Sequence, residues 1–167
     1  MADVEFIGFR SAWGAADVER CREWSRDLAE TVTEDDPDLV ITAMASRLQL
    51  VDDGTDRPQI DQMSHGLLDY WKRWNDAGIK VLALADPPFN AEVRSPDCVL
   101  HNADEPQSCA RPRTEAHPAD PMVVAGASAG SESISVLDLT DRFCDATSCY
   151  AVVGGIPVYY DCLLYTS

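Results

Sequence analysis

Three short runs in this chain are mostly apolar and do not alternate with polar residues: Leu39–Met44, Ile79–Ala85 and Ile134–Leu139. Strands written this way have both faces buried, which is the habit of a parallel sheet covered by helices. The segments between them carry a different period. Val18, Cys21, Trp24, Leu28 and Val32 recur at spacings of three and four, as do Ile60, Met63, Leu67, Trp71 and Trp74. Each set marks one face of a helix. Asp17 is placed to cap the first helix, and Asp35-Asp36-Pro37 stops it, because a residue before proline avoids the helical region. Pro58 suits the first turn of the second helix and Gly78 its end. Val4–Arg10 reads as one more strand. Strands alternating with helices define the α/β class, here a three-layer doubly wound parallel sheet, and the tryptophans on the helical faces read as core.

Seven of the ten prolines fall between 87 and 121, so that stretch reads as a long excursion holding one short helix. Near the end, Tyr150–Val153 and Ile156–Tyr160 are split by Gly154-Gly155, which predicts a hairpin. In doubly wound sheets functional groups gather just past the carboxyl ends of the strands. The segments to search are therefore 11–14, 45–48, 86–90, 140–145 and 161 onward.

Charge and cysteine content narrow the function. The 167 residues hold 13 Lys plus Arg against 29 Asp plus Glu, a formal charge of -16. Nucleic acids and anionic membrane surfaces are bound by dense basic clusters, and this sequence has none. No apolar run approaches the ~20 residues of a membrane span, and Met-Ala-Asp-Val-Glu at the start lacks the pattern of a signal peptide. The six cysteines are Cys21, Cys98, Cys109, Cys144, Cys149 and Cys162. None stands in Cys-x-x-Cys spacing and the histidines are scattered, so a metal site is unsupported. Cys98/Cys109 and Cys144/Cys149 each close a short loop in turn-rich sequence. Local disulfides suit them better than free thiols or a metal, and point to an extracytoplasmic home.

Gly126-Ala-Ser128-Ala-Gly130 has the Gly-x-Ser-x-Gly form of a nucleophile elbow, in which a strand turns sharply into a helix. An α/β-hydrolase using Ser128 also demands a histidine downstream, and none lies beyond His117. Small residues in a loop account for the same five positions. Asp86, at a strand end before two prolines, suits either a general base or a loop cap. The aspartates at 52–56 lack calcium-loop spacing and read as a solvated turn.

The C-terminal run carries a more specific signal. Leu137-Asp-Leu-Thr-Asp-Arg-Phe-Cys144 is followed by a Cys-to-Cys loop, an apolar hairpin and Tyr160-Asp161. It resembles the end of the SGNH domains fused behind membrane-embedded acyltransferase family 3 domains, where the hairpin leads into Asp-x-x-His-Leu. Cys21-Arg-Glu-Trp24, Pro37-Asp-Leu-Val-Ile41 and Val81–Pro87 follow in that family's order. The resemblance covers residues of about 5–161.

What it implies is an SGNH hydrolase-like, flavodoxin-like fold in which serine, histidine and aspartate handle acyl esters without a cofactor. An acyl donor delivered by the membrane domain and a glycan acceptor would be the partners. A histidine would take the serine proton and an aspartate would fix its tautomer. Asp161 matches that aspartate, and Ser46, past the Leu39–Met44 strand, falls where an oxyanion donor is placed.

The sequence departs from the family at three points. It holds no Gly-Asp-Ser, Leu164 stands where the histidine belongs, and Ser11-Ala12 replaces a Cys-Pro, which leaves the partner of Cys21 open. The expectation is a partial SGNH domain over 1–161, lacking the first strand, inactive alone and marginally stable, with 162–167 a non-native tail. A non-catalytic glycan-binding domain is the rival reading; aromatics exposed along the strand ends would favour it.

Overall fold

The computed structural model describes residues 15–48, 56–88 and 96–159. The expected strand at Val4–Arg10, the acidic loop at 52–55 and the tail from Asp161 lie outside them. In chain order the helices are α1 (Ala15–Asp35), α2 (Gln59–Asp76), α3 (Pro96–His101), α4 (Arg113–Ala116) and α5 (Pro121–Ala127). The strands are β1 (Leu39–Ala43), β2 (Lys80–Leu84), β3 (Arg111–Pro112), β4 (Ile134–Leu137), β5 (Ser148–Cys149), β6 (Val152–Val153) and β7 (Ile156–Pro157). Two compact units emerge: one combines the chain up to Ala85 with Ala119–Leu137, the other combines Asp86–Pro118 with the chain from Asp138.

The first unit is the α/β module. Its sheet runs β1-β2-β4, all parallel, with Ile41 opposite Leu82 and Leu82 opposite Ser135. Since successive parallel strands move in one direction and crossovers are right-handed, the connecting helices fall on one face of the sheet. There α2 and α5 share a core of Leu67, Trp71, Trp74, Ile79, Val81, Ala83, Met122, Ala125 and Ile134. The expected α2 face is confirmed: Met63, Leu67, Trp71 and Trp74 are buried, and Gly78 ends the turn at φ 94°. Asp36 adopts φ 45° ahead of Pro37 and stops α1 where expected. Asp17 lies inside α1, which begins at Ala15, and so is not its cap.

Two expectations about this unit need correction. Trp24 is not core; it is 62% exposed, and Leu28 on the same helix is 41% exposed. Among the described side chains of α1 only Ala29 is fully buried, and its carbonyl accepts a bond from Trp74 Nε1 at 3.3 Å. A periodic stripe says that a helix has an apolar face, and does not say how much of it is covered. Likewise β1 is not buried on both faces. Val40 packs toward the core, whereas Leu39 and Ile41, alternating to the opposite face, are 45% and 60% exposed. Among the described residues no helix of this unit lies over that face.

Helix α5 shows why its sequence is written as it is. Asp120 caps it by accepting from Met122 N at 2.7 Å, and Pro121 opens the first turn. Gly126 faces Val136 of β4 so closely that any Cβ there would collide with the valine side chain.

The second unit is built on short elements, with more helix in the proline-rich excursion than the single piece expected. β3 pairs antiparallel with β5, and β6 with β7. Gly154 and Gly155, at φ 60° and 81°, form the turn of the predicted hairpin; two successive positive φ values are what a type I′ turn requires. Both expected disulfides are present, Cys98–Cys109 and Cys144–Cys149, while Cys21 is a free thiol. Ala116, Cys144 and Cys149 form the buried centre, flanked by Phe143 stacked on Tyr159 at 5.7 Å.

Candidate functional site

Each sheet strand delivers a polar residue just past its carboxyl end. Ser46 follows β1 in a turn and is half-buried. Asp86 follows β2, is half-buried and precedes the buried Pro88. Asp138 follows β4 directly. Asp161, the residue matched to a triad aspartate, and Cys162 lie outside the described residues.

Ser128 is not a nucleophile at an elbow. It caps the carboxyl end of α5, is exposed, and donates its hydroxyl to Val124 O at 3.2 Å. An elbow needs a strand before the serine and a helix after it; here the order is helix, turn, strand β4. Gly126 is explained by its contact with Val136 and Gly130 by its φ of 64°. The five small residues are structural.

Sequence reasoning passed over a hydrogen-bonded cluster after β4. Asp138 accepts from the Thr140 backbone N–H at 2.8 Å, and Thr140 Oγ1 lies 3.1 Å from His117 Nε2. Thr140 is 2% exposed, so its hydroxyl is wholly committed inside the protein. Partial burial pushes the Asp138 carboxyl up, but the Thr140 hydrogen bonds and the nearby His117 and Arg113 outweigh it and hold the group below the ordinary carboxylate range. The Asp-x-Thr spacing signals a local side-chain turn. Nothing local signals the pairing with His117, which comes from 23 residues away.

Arg113 ties the same region together. Its guanidinium meets Asp141 Oδ1 and the Asp145 carbonyl, each at 2.8 Å, and its backbone N–H donates to Thr147 O. Within the disulfide loop the Asp145 carboxylate accepts from the Tyr150 hydroxyl, from Thr147 N and Ser148 N, and from the Thr147 hydroxyl. The tyrosine bond first, and the others after it, hold Asp145 far below the usual carboxylate range, and the same bond raises the Tyr150 phenol. These contacts tie the Cys144–Cys149 loop to itself and to Arg113. Among the described residues no three His, Cys, Asp or Glu side chains converge as metal ligands.

Parallel strands joined by helices, with acidic and hydroxyl residues leaving their carboxyl ends, are the frame of the SGNH hydrolases. A family model described as "SGNH domain (fused to AT3 domains)" matches residues 6–162, nearly the whole chain, and the chain belongs to that family. No curated protein and no solved structure gives a significant match. Membership makes this a hydrolase- or acyltransferase-like domain. No described helix is long and apolar enough to cross a membrane.

Proposed function

We propose that the chain is the SGNH part of an extracytoplasmic O-acyltransferase, which passes an acyl group from a membrane-embedded acyltransferase domain to a hydroxyl of a cell-envelope glycan. The single observation that carries this reading is the family match over residues 6–162. The two disulfides support the compartment, since such bridges persist in oxidising surroundings.

In this reading a serine attacks the acyl ester while a histidine takes its proton and hands it to the departing donor hydroxyl; the glycan hydroxyl then attacks the acyl-serine, its proton passing through the histidine to the released serine, and Asp161 orients and charge-stabilises that histidine. Ser46 is the candidate oxyanion donor. Within these 167 residues there is no Gly-Asp-Ser, and Leu164 stands where the histidine would be. The chain therefore supplies scaffold and aspartate, and its own esterase activity should be nil.

Hydrolysis of 4-nitrophenyl acetate by the chain, beside acetyl transfer to a glycan by the product of the whole locus, tests this. The chain alone should match the buffer rate. In the whole product Asp161→Asn should lower transfer by roughly 10⁴, the cost of losing a triad aspartate. Turnover by the chain alone, or full activity in the Asp161→Asn protein, would contradict the reading. A non-catalytic glycan-binding role gains nothing from the described tryptophans: Trp71 and Trp74 are buried, and exposed Trp24 lies on α1, not at a strand end.

A further inference from the structure

The α/β unit holds a cavity of about 180 Å³ between its helices and its sheet. Leu28 and Ala29 of α1 line it, with Thr42 of β1, Met44 just past that strand, and Leu67 and Trp74 of α2. The lining is almost wholly apolar. A water held inside a protein needs roughly two to four polar partners, so a cavity of this kind stays dry and takes apolar guests.

The walls are longer than they are wide. Leu67 and Trp74 stand two helical turns apart on one face of α2, a separation of ~10 Å along a helix. Thr42 and Met44 are alternate residues on the helix side of β1, so the space follows the strand axis. An apolar cavity of ~150 Å³ holds a benzene ring, and this slightly larger, longer one suits a chain of about six to eight carbons laid lengthwise.

One end of this space lies toward the carboxyl ends of the strands. β1 and β2 are parallel, so α2 runs back from the carboxyl end of β1, and Leu67 stands nearer that end than Trp74. Met44 is the first residue past β1, and Ser46, the candidate oxyanion donor, follows shortly after it.

We propose that this cavity takes the hydrocarbon tail of a medium-chain acyl group, about six to eight carbons long, and leaves the acyl carbonyl at the carboxyl end of β1. The inference rests on the acyltransferase reading and adds to it the class of acyl group. An acetyl group would leave most of the cavity empty. An aromatic ring matches its polarity but not its length. A sugar would bring hydroxyls that this lining cannot satisfy.

Titration of the full chain with methyl hexanoate, methyl acetate and toluene tests the cavity. Trp71 and Trp74, both in its wall, report through their fluorescence, and the unfolding midpoint reports independently. Each buried methylene is worth roughly fourfold in affinity, so methyl hexanoate should bind on the order of a hundredfold more tightly than methyl acetate. Ala29→Leu fills the cavity from α1 and should abolish that preference without lowering the midpoint. Thr42→Ile fills it from β1 and serves if Ala29→Leu fails to fold. In the product of the whole locus, hexanoyl transfer to the glycan should outrun acetyl transfer, and Ala29→Leu should reverse the order. Absence of saturable binding, which is also what a cavity filled by the chain's own residues would give, overturns the proposal. So do equal binding of methyl acetate, tighter binding of toluene, and unchanged binding in both filled variants. A whole product that transfers acetyl as fast as hexanoyl overturns the inference and leaves the acyltransferase reading standing. One that transfers neither group overturns that reading, and the inference with it, even where the chain binds the ester.

Discussion

Gly126 of α5 and Val136 of β4 are packed so tightly that no β-carbon fits between the helix and the strand. That contact sets the separation of α5 from the sheet, and it accounts for a glycine that a motif search would assign to catalysis. Gly126→Ala should destabilise the chain by ~1–3 kcal/mol, the usual cost of overpacking. Ser128→Ala, at an exposed helix end, should stay within about 0.5 kcal/mol. Chemical denaturation of the two variants checks both. An equal, small effect would mean that the helix shifts freely on the sheet.

Acid stability should depend on Asp138 and Asp145. Both carboxyls lie below their ordinary value in the folded chain, Asp138 through Thr140, His117 and Arg113, Asp145 through Tyr150 and the loop amides. A depressed carboxylate contributes stability that is present above the unfolded pKa, near ~4, and is lost as pH falls through the folded one. Melting temperatures from pH 7 to 2 should therefore drop on the acid side, with a shallower drop in Asp138→Asn and Asp145→Asn. Thr140→Val keeps the backbone N–H that Asp138 accepts from but removes the buried hydroxyl that meets His117, and should cost ~1–3 kcal/mol at neutral pH. Unchanged acid profiles in both Asp variants would refute the assignment.

The two bridges should respond separately to loss. Cys98–Cys109 spans 11 residues and Cys144–Cys149 spans 5, so the first closes the larger loop in the unfolded chain. In the chain-entropy view the larger loop contributes more, with ~2–4 kcal/mol typical for a bridge. Paired Cys→Ser variants, compared by urea midpoint, should place the Cys98/Cys109 pair lower if that term dominates. Alkylation followed by mass spectrometry should label Cys98, Cys109, Cys144 and Cys149 only after reduction. Labelling of any of the four in the unreduced protein would show that its bridge is absent.

Much of the fold was legible because it is encoded locally. The stripe from Met63 to Trp74, the stop at Gly78, the apolar β2 and the paired glycines at 154 and 155 each carry their own signal. What stayed hidden is relational. An apolar run such as Leu39–Met44 shows that a strand suits burial, but not that Leu39 and Ile41 would stand exposed. The stripe through Trp24 looks the same on a helix whose apolar face is partly open as on one whose face is covered. The pairing of His117 with Thr140 joins residues that no sequence period connects. Of the site, Ser46 and Asp86 follow from the rule that function gathers at strand ends; Asp138 did not, because the apolar run to Leu139 hid the end of β4 at Leu137, and the role of Asp161 rests on resemblance alone.

The most direct measurement is the nucleotide sequence of the locus on both sides of this reading frame. The account predicts an upstream Gly-Asp-Ser at the end of a strand, membrane spans ahead of it, and a histidine three residues after Asp161 where Leu164 stands here. A genuine start at Met1 and stop after Ser167, with neither serine motif nor histidine, would contradict the acyltransferase assignment.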